Sequence, residues 1–315
     1  MNPLRKDMQM HSTLFPFTLV YRDTKIPDHE LPDHFHDWHE IVYVYGGNGI
    51  FFIDNTVYTM SAGDLFVIPA NTIHRAIPDS AQPVTSTAIF FRPPIILSET
   101  LGDPFSYHRV MEETAKNKIY RFPLAPSHQT VVQTKIDILF DEMNRQQFGY
   151  RSAVVLELRM MLLQLYREVF QFSDHSANMD SLGPRWLNKA LHYIEENFVN
   201  PISLHELSNQ VNVSSSHFSR VFRQMTGMSF VDYITVKRII LARELLCNTE
   251  DNIAVIAELC GFSSLPHFHR TFVKHTNSTP AAYRRHTAPF RSAKSTASPS
   301  SSLPPSLYSR AQQPL

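Results

Sequence analysis

His217-Phe-Ser-Arg-Val-Phe222 recurs fifty residues further on as His267-Phe-His-Arg-Thr-Phe272. The match extends on both sides. Downstream, Thr226 pairs with Thr276, Gly227 with Asn277, Ser229 with Thr279 and Tyr233 with Tyr283. Upstream, Leu204, Leu207 and Val211 pair with Ile253, Ile256 and Cys260 at an offset shorter by one, so the second copy carries one inserted residue near its turn. An internal repeat of this length marks one supersecondary unit built twice.

Each copy reads as helix, tight turn, helix. In the first, Ser203 is an N-cap and Glu206 completes a capping box. Leu204, Leu207 and Val211 make the buried stripe of a short helix, and Asn212-Val213 turns the chain, Asn tolerating a left-handed backbone. Ser214 caps a second helix that ends at Gly227 and turns Phe218, Val221 and Phe222 inward. In the second copy Gly261-Phe262 makes the turn, Ser263 caps, Phe268 and Phe272 face in, and Asn277 takes the place of Gly227. Ser229 to Cys247 reads as one longer helix with Ile234, Ile239, Ala242, Leu245 and Leu246 as its stripe. Such a rod would hold both second helices toward successive major grooves of one duplex. The candidate DNA-contacting residues are Ser215, Ser216, His217, Ser219, Arg220 and Arg223 in the first copy. In the second they are Pro266, His267, His269, Arg270 and Lys274. Arg reads guanine bidentately, and Ser and His reach bases or phosphates. The plain alternative for any single one is a solvated helix face.

Outward from the repeat, the 315 residues suffice for two domains, each with its own core. The formal net charge of zero hides an asymmetry. Over residues 184–315 Lys and Arg outnumber Asp and Glu by 14 to 8; over 1–183 the acids lead by 21 to 15. A basic half suits a polyanion. From Phe15 to about Phe91 the pattern is strand-like: Glu40-Ile-Val-Tyr-Val-Tyr45, Ile50-Phe-Phe-Ile53 and Leu65-Phe-Val-Ile68 are rich in β-branched and aromatic residues. Gly46-Gly-Asn-Gly49 reads as a hairpin, Ser61-Ala-Gly-Asp64 as a second turn, and Pro69 as a strand end. Short strands at this spacing predict a sandwich or barrel. Helical periodicity then covers Thr130–Phe148 and Ser152–Phe170, a pair that either packs on the barrel or forms a dimerisation surface.

The fold class is therefore α+β and multidomain: an N-terminal β-barrel with a helical pair, and an all-α double helix-turn-helix. The divisions read as a barrel over 1–125, a helical pair over 126–172, a linker over 173–184, a DNA-binding unit over 185–286 and a Ser/Pro/Ala-rich disordered tail over 287–315. No apolar run approaches the ~20 residues that span a bilayer, and Met1–Met10 lacks the apolar stretch of a secretory signal. The two cysteines, Cys247 and Cys260, read as small core residues in a reducing compartment, so a cytoplasmic location is expected.

Ile253-Ala-x-Ile256-Ala257-x-x-Cys260-Gly261-Phe262-Ser263-Ser264, Phe268-x-x-x-Phe272-x-Lys274 and Thr279-Pro280-x-x-Tyr283-Arg284 resemble the signature of AraC/XylS-type regulators. Asn277 and Ser208 depart from the family's usual Gly and Ala. The resemblance implies transcription control, usually activation, by a homodimer on paired half-sites, with double-stranded DNA and RNA polymerase as partners.

A second constellation, His34-x-His36-x-x-x-Glu40 followed by Gly63-x5-Pro69-x-Asn71-x-x-His74, resembles the two cupin motifs, with Asn71 in place of a usual Gly. In metal-binding cupins this set supplies three His and one carboxylate. Two readings stand open. Either His34, His36, Glu40 and His74 bind a divalent metal, or they join Trp38 in lining a cavity for a small effector. Regulators with cupin domains mostly use no metal, so the expectation is no cofactor and a small effector, with a carbohydrate suggested by analogy alone. Trp38, Tyr43 and Tyr45 are either core or stacking faces for such a ligand. A metal-dependent cupin enzyme with an accessory helical domain is the competing function. The duplicated helix-turn-helix, which catalysis does not need, argues against it, and no enzyme activity is expected.

Overall fold

The computed structural model describes residues 15–25, 36–97, 105–167 and 183–287. The chain divides into two compact units, Met1–Leu182 and Gly183–Leu315.

The first unit contains strands β1 (Phe17–Lys25), β2 (His39–Gly46), β3 (Gly49–Ile53), β4 (Thr56–Met60), β5 (Asp64–Ile68), β6 (His74–Pro78), β7 (Val84–Phe91) and β8 (Arg121–Pro123). It also contains helices α1 (Arg109–Asn117), α2 (Pro126–Arg145) and α3 (Tyr150–Leu165). Five strands form one sheet in the order β1-β7-β2-β5-β8, and three form a second in the order β4-β3-β6. All pairings are antiparallel.

Alternation along β2 sorts its side chains between two cores. Val42 and Val44 point between the sheets, among Phe51, Ile53, Phe66, Ile68 and Phe90. Ile41 and Tyr43 point the other way, into a cluster with Leu65, Val67, Ile89 and the helix residues Val132, Ile136, Leu139, Leu158, Met161 and Leu162. With both faces covered, β2 reads as a nearly continuous apolar run rather than an alternating one. Each large apolar side chain so buried contributes about 1.5–3 kcal/mol. Helices α2 and α3 thus share a core with the outer face of the larger sheet. Helix α2 starts four residues ahead of the predicted Thr130 because Pro126 stands in its first turn, where the missing N–H costs nothing.

Gly46-Gly47-Asn48-Gly49 is not the hairpin the sequence suggested. Strand β2 lies in the larger sheet and β3 in the smaller, so this segment is a corner between sheets. Gly47 has φ +83°, and a Cβ there would lie 2.0 Å from the Pro83 carbonyl oxygen. The turn at Ser61–Asp64 likewise joins β4 to β5 across the sheets.

The second unit is helical: α4 (Arg185–Asn197), α5 (Leu204–Gln210), α6 (Ser215–Thr226), α7 (Phe230–Asn248), α8 (Ile253–Leu259), α9 (Leu265–Thr276) and α10 (Pro280–Thr287). Ser203, Ser214 and Ser229 cap α5, α6 and α7 by accepting from Glu206, His217 and Asp232 N–H. Asn252 caps α8 by accepting from Ala254 N–H. The cap of α9 is Ser264, not Ser263 as read from sequence, and it makes no side-chain cap bond. The inserted residue lies before it, so Ser264 is the true counterpart of Ser214. Asn212 (φ +58°) occupies the first turn in the left-handed region, and Asn277 (φ +53°) replaces Gly227 (φ +72°) as the helix C-cap.

The repeat is physical as well as textual. Phe218, Phe222, Phe268 and Phe272 are fully buried. Thr226 and Thr276 each donate to the carbonyl four residues back, at 2.8 Å, and accept from the N–H two residues on. Between the copies, α7 buries Ile234, Val236, Ile239, Ala242, Leu245 and Leu246. Among the described residues no helix is long and apolar enough to cross a membrane.

Candidate nucleic-acid interface and barrel site

Because α6 and α9 bury their paired phenylalanines, equivalent side chains of the two helices are turned outward. On α6, Ser216, Ser219, Arg220 and Arg223 are exposed; on α9, Pro266, His267, Arg270 and Lys274 are, with His269 half-buried. Ser216 and Arg220 are one turn apart, as are Pro266, Arg270 and Lys274, so each set shares a helix face. Arg220 donates to His217 Nδ1 at 3.2 Å, and the His217 ring packs 5.7 Å from that of Trp186. The Ser215 hydroxyl is already engaged, 2.8 Å from that of buried Ser208, which ties α5 to α6. Ser208, the departure from the usual Ala, is thereby satisfied, its hydroxyl also donating to the His205 carbonyl.

Two residues escaped the sequence reading. Gln224 is exposed, one turn beyond Arg220, and stands where Lys274 stands in the second copy. The repeat offset was sufficient to find it. Arg238 on α7 is the second: Nε donates to the Phe198 carbonyl at 2.7 Å, and the terminal nitrogens to Gly261 (2.7 Å) and Asn200 (2.9 Å). This guanidinium fastens the turn of the second helix-turn-helix to the segment that follows α4.

The barrel site is assembled from both sheets. Glu40, on β2, is buried and points into the space between them; His74, opening β6, is buried opposite. The Nε2 atoms of His74 and His36 lie 3.0 and 3.3 Å from the same Glu40 oxygen, Oε2. Each ring is fixed from behind: His36 Nδ1 lies 2.9 Å from the Trp38 carbonyl and His74 Nδ1 2.9 Å from the Thr72 carbonyl. Carbonyls only accept, so both Nδ1 atoms carry the proton and both Nε2 atoms face the carboxylate. Burial alone would raise the Glu40 carboxyl; the charges and hydrogen bonds of His74 and His36 outweigh it and hold the group well below the usual carboxylate range.

His36 precedes β2 and is held by its own carbonyl, which accepts from Asn71 N–H at 2.7 Å. The predicted reading, with His34 and His36 on one strand face, is corrected to that extent; His34 lies outside the described residues. Trp38 packs on the barrel interior, and the Arg92 guanidinium lies 5.4 Å from its ring centre. Tyr43 and Tyr45 belong to the other face of the sheet. Gln133 donates to the Tyr43 hydroxyl at 2.7 Å and Thr87 to that of Tyr45 at 3.2 Å, so neither ring is offered to the interior.

A cupin-like barrel followed by a duplicated helix-turn-helix defines the class of DNA-binding regulators that carry a ligand-binding domain. Residues 17–162 match the family model of an AraC-like ligand binding domain, and residues 207–286 that of a helix-turn-helix domain. The chain belongs to the AraC/XylS-type transcriptional regulators. It is 26% identical over 267 residues to the HTH-type transcriptional activator RhaS of Shigella sonnei (strain Ss046), covering 84% of this chain and 91% of that one. RhaS of Escherichia coli O9:H4 (strain HS) is 25% identical over the same shares. Among solved structures, an AraC-type DNA-binding domain-containing regulator from Chromobacterium violaceum is 36% identical over 33% of this chain and 92% of its own, with a TM-score of 0.31.

Proposed function

We propose that the chain is a cytoplasmic, homodimeric transcription activator without enzyme activity, which recruits RNA polymerase from paired half-sites when a small effector enters its barrel. The observation that carries the DNA-reading part is the placement of Arg220 and Arg270 at equivalent exposed positions of a duplicated scaffold. Ser216, Ser219, Arg223, His267, His269 and Lys274 flank them as base or phosphate contacts, while Ser215 and His217 position the first helix and Pro266 starts the second. Support for an effector comes from the polar group set of His36, Glu40 and His74, with Trp38 packed against the same cluster between the sheets. A carbohydrate, whose hydroxyls pair with such groups and whose faces stack on aromatic rings, fits that chemistry. For the dimer, α3 leaves Leu156 (62% exposed) and Met160 (49%) one turn apart on its surface.

Selection of binding sites from random duplexes with the full chain, followed by anisotropy titration at fixed salt, tests the reading. Arg220→Ala and Arg270→Ala should each weaken specific binding by about 1–3 kcal/mol and relax discrimination at one base pair each. A full-length protein that shows no preference over random competitor DNA refutes it.

A further inference from the structure

We infer that Trp186 is a positioning residue for base recognition, acting on Arg220 through His217. The inference rests on the reading of Arg220 as a base contact proposed above. Trp186 stands in the first turn of α4, ahead of the residues 207–286 that match the helix-turn-helix family model, so it lies outside the duplicated unit. It is half-buried, and its ring packs 5.4 Å from that of fully buried Phe218 and 5.7 Å from that of His217. His217 Nδ1 in turn accepts from Arg220 Nη2 at 3.2 Å. A guanidinium only donates, so Nε2 carries the proton of a neutral ring. His217 and Arg220 are three residues apart and share a helix face.

Water competes for the Arg220–His217 bond, which is exposed. Its geometry therefore depends on an imidazole that is itself held, and Trp186 is the side chain that holds it. The second copy lacks this arm. His267 packs 5.6 Å from Phe262, a residue between α8 and α9, and among the described residues no hydrogen bond joins His267 to Arg270. The two arginines thus differ: Arg220 is ordered in advance from α4, and Arg270 is ordered only on the duplex. An arginine loses rotamer freedom when it binds, and holding it beforehand removes part of that cost. The gain appears only where Arg220 meets its own base pair, because a mismatched pair leaves the guanidinium unbound. Trp186 accordingly sets discrimination at one position of the site rather than affinity for DNA as such.

The test is anisotropy titration of the full chain at fixed salt, on its selected site and on single-base-pair variants of that site. Arg220→Ala locates the base pair that Arg220 reads. Trp186→Leu and His217→Phe should each lower discrimination there by about 2- to 12-fold, the range for ordering one rotamer-rich side chain. The pair read by Arg270 should be unaffected. Trp186→Phe, which keeps a ring against His217, should stay nearer the unaltered chain than Trp186→Leu does. Added to Arg220→Ala, Trp186→Leu should cost no further discrimination. A loss of packing alone lowers the active fraction on every sequence alike and does not move that ratio. Far-UV circular dichroism checks folding; if Trp186→Leu does not fold, His217→Phe decides, since it keeps a ring against Trp186 and removes the acceptor. Unchanged discrimination in a folded Trp186→Leu or His217→Phe variant, or an equal loss on all sequences, overturns the inference while a selective loss in Arg220→Ala leaves the base contact standing. If Arg220→Ala itself alters no base pair, the base-contact reading fails and the inference falls with it.

Discussion

Gly261→Ala is the substitution whose cost the structure specifies most closely. Gly261 has φ +79°, and an added Cβ would lie 2.1, 2.8 and 3.0 Å from the oxygen, carbon and Cα of Val199. Those are backbone atoms, so no rotamer change relieves the overlap. The segment cannot retreat freely either. Its flanking carbonyls, Phe198 and Asn200, are both held by Arg238, which also holds the Gly261 carbonyl. The backbone term for an L-residue in the left-handed region is about 1–2 kcal/mol. Separating the two segments breaks at least one hydrogen bond to a charged group, worth about 1.5–3 kcal/mol. The sum, about 2.5–5 kcal/mol, is a large part of the stability of an ordinary domain. Urea denaturation of the full chain in a Trp38→Phe background, followed through Trp186 on α4, reports this unit. Gly149 supplies the comparison: its φ is +86° but a Cβ there meets nothing within 4 Å. Gly149→Ala, followed through Trp38 in a Trp186→Phe background, should therefore cost only the backbone term of about 1–2 kcal/mol. If the two substitutions differ by less than about 1 kcal/mol, the steric and clamp argument is wrong.

Burial, then Lys274, lowers the pKa of His275 below its ordinary 6.5 against an opposing pull from Asp232. The unfolded chain thus binds a proton that the folded unit refuses, so stability present above pH 6.5 is lost as the pH falls below it. Denaturation midpoints read through Trp186 should fall over that range and fall less in His275→Gln; equal slopes would dismiss His275 as the cause. If the proposed dimer uses the exposed apolar face of α3, Leu156→Glu and Met160→Glu should shift sedimentation-equilibrium mass toward monomer while far-UV circular dichroism stays that of the folded chain, and an unchanged mass would move the interface elsewhere.

The two helix-turn-helix copies and the long helix between them were legible in the sequence because the unit is written twice; α4 and α10 were not read as helices. Each copy resolves what the other leaves ambiguous: Asn277 is understood as a C-cap once Gly227 is aligned with it, and the buried phenylalanines fix which side of α6 and α9 remains free. The single misplaced cap, Ser263 for Ser264, falls at the one insertion, where alignment loses its hold. Arg238 was missed for a different reason. On a helix that is apolar nearly all round, an arginine reads as its solvent face, and only the three-dimensional position of the Phe198, Asn200 and Gly261 carbonyls shows that it is turned inward.

In the barrel, β2, β3 and β5 were legible as strands but their sheet membership was not, because a glycine-rich corner and a hairpin carry the same local signal. Parity along β2 separates Glu40, Val42 and Val44 from Ile41, Tyr43 and Tyr45, yet parity cannot say which set meets the second sheet. The pairing registers decide it. Glu40 lies opposite Ile68 and Phe90 in one sheet, His74 opposite Ile53 in the other, and a one-residue slip in either would turn its member of the site away. The third member depends on both, since His36 is fixed through Asn71 N–H, and Asn71 (φ +67°) sits in the turn that carries the chain from β5 to β6. A ligand that engaged Glu40 and the two imidazoles would therefore bear on the pairing of both sheets and on that turn together. A ligand bound there is coupled to the frame of the barrel and not to one loop, which is the property an effector site requires if occupancy is to shift a population of states.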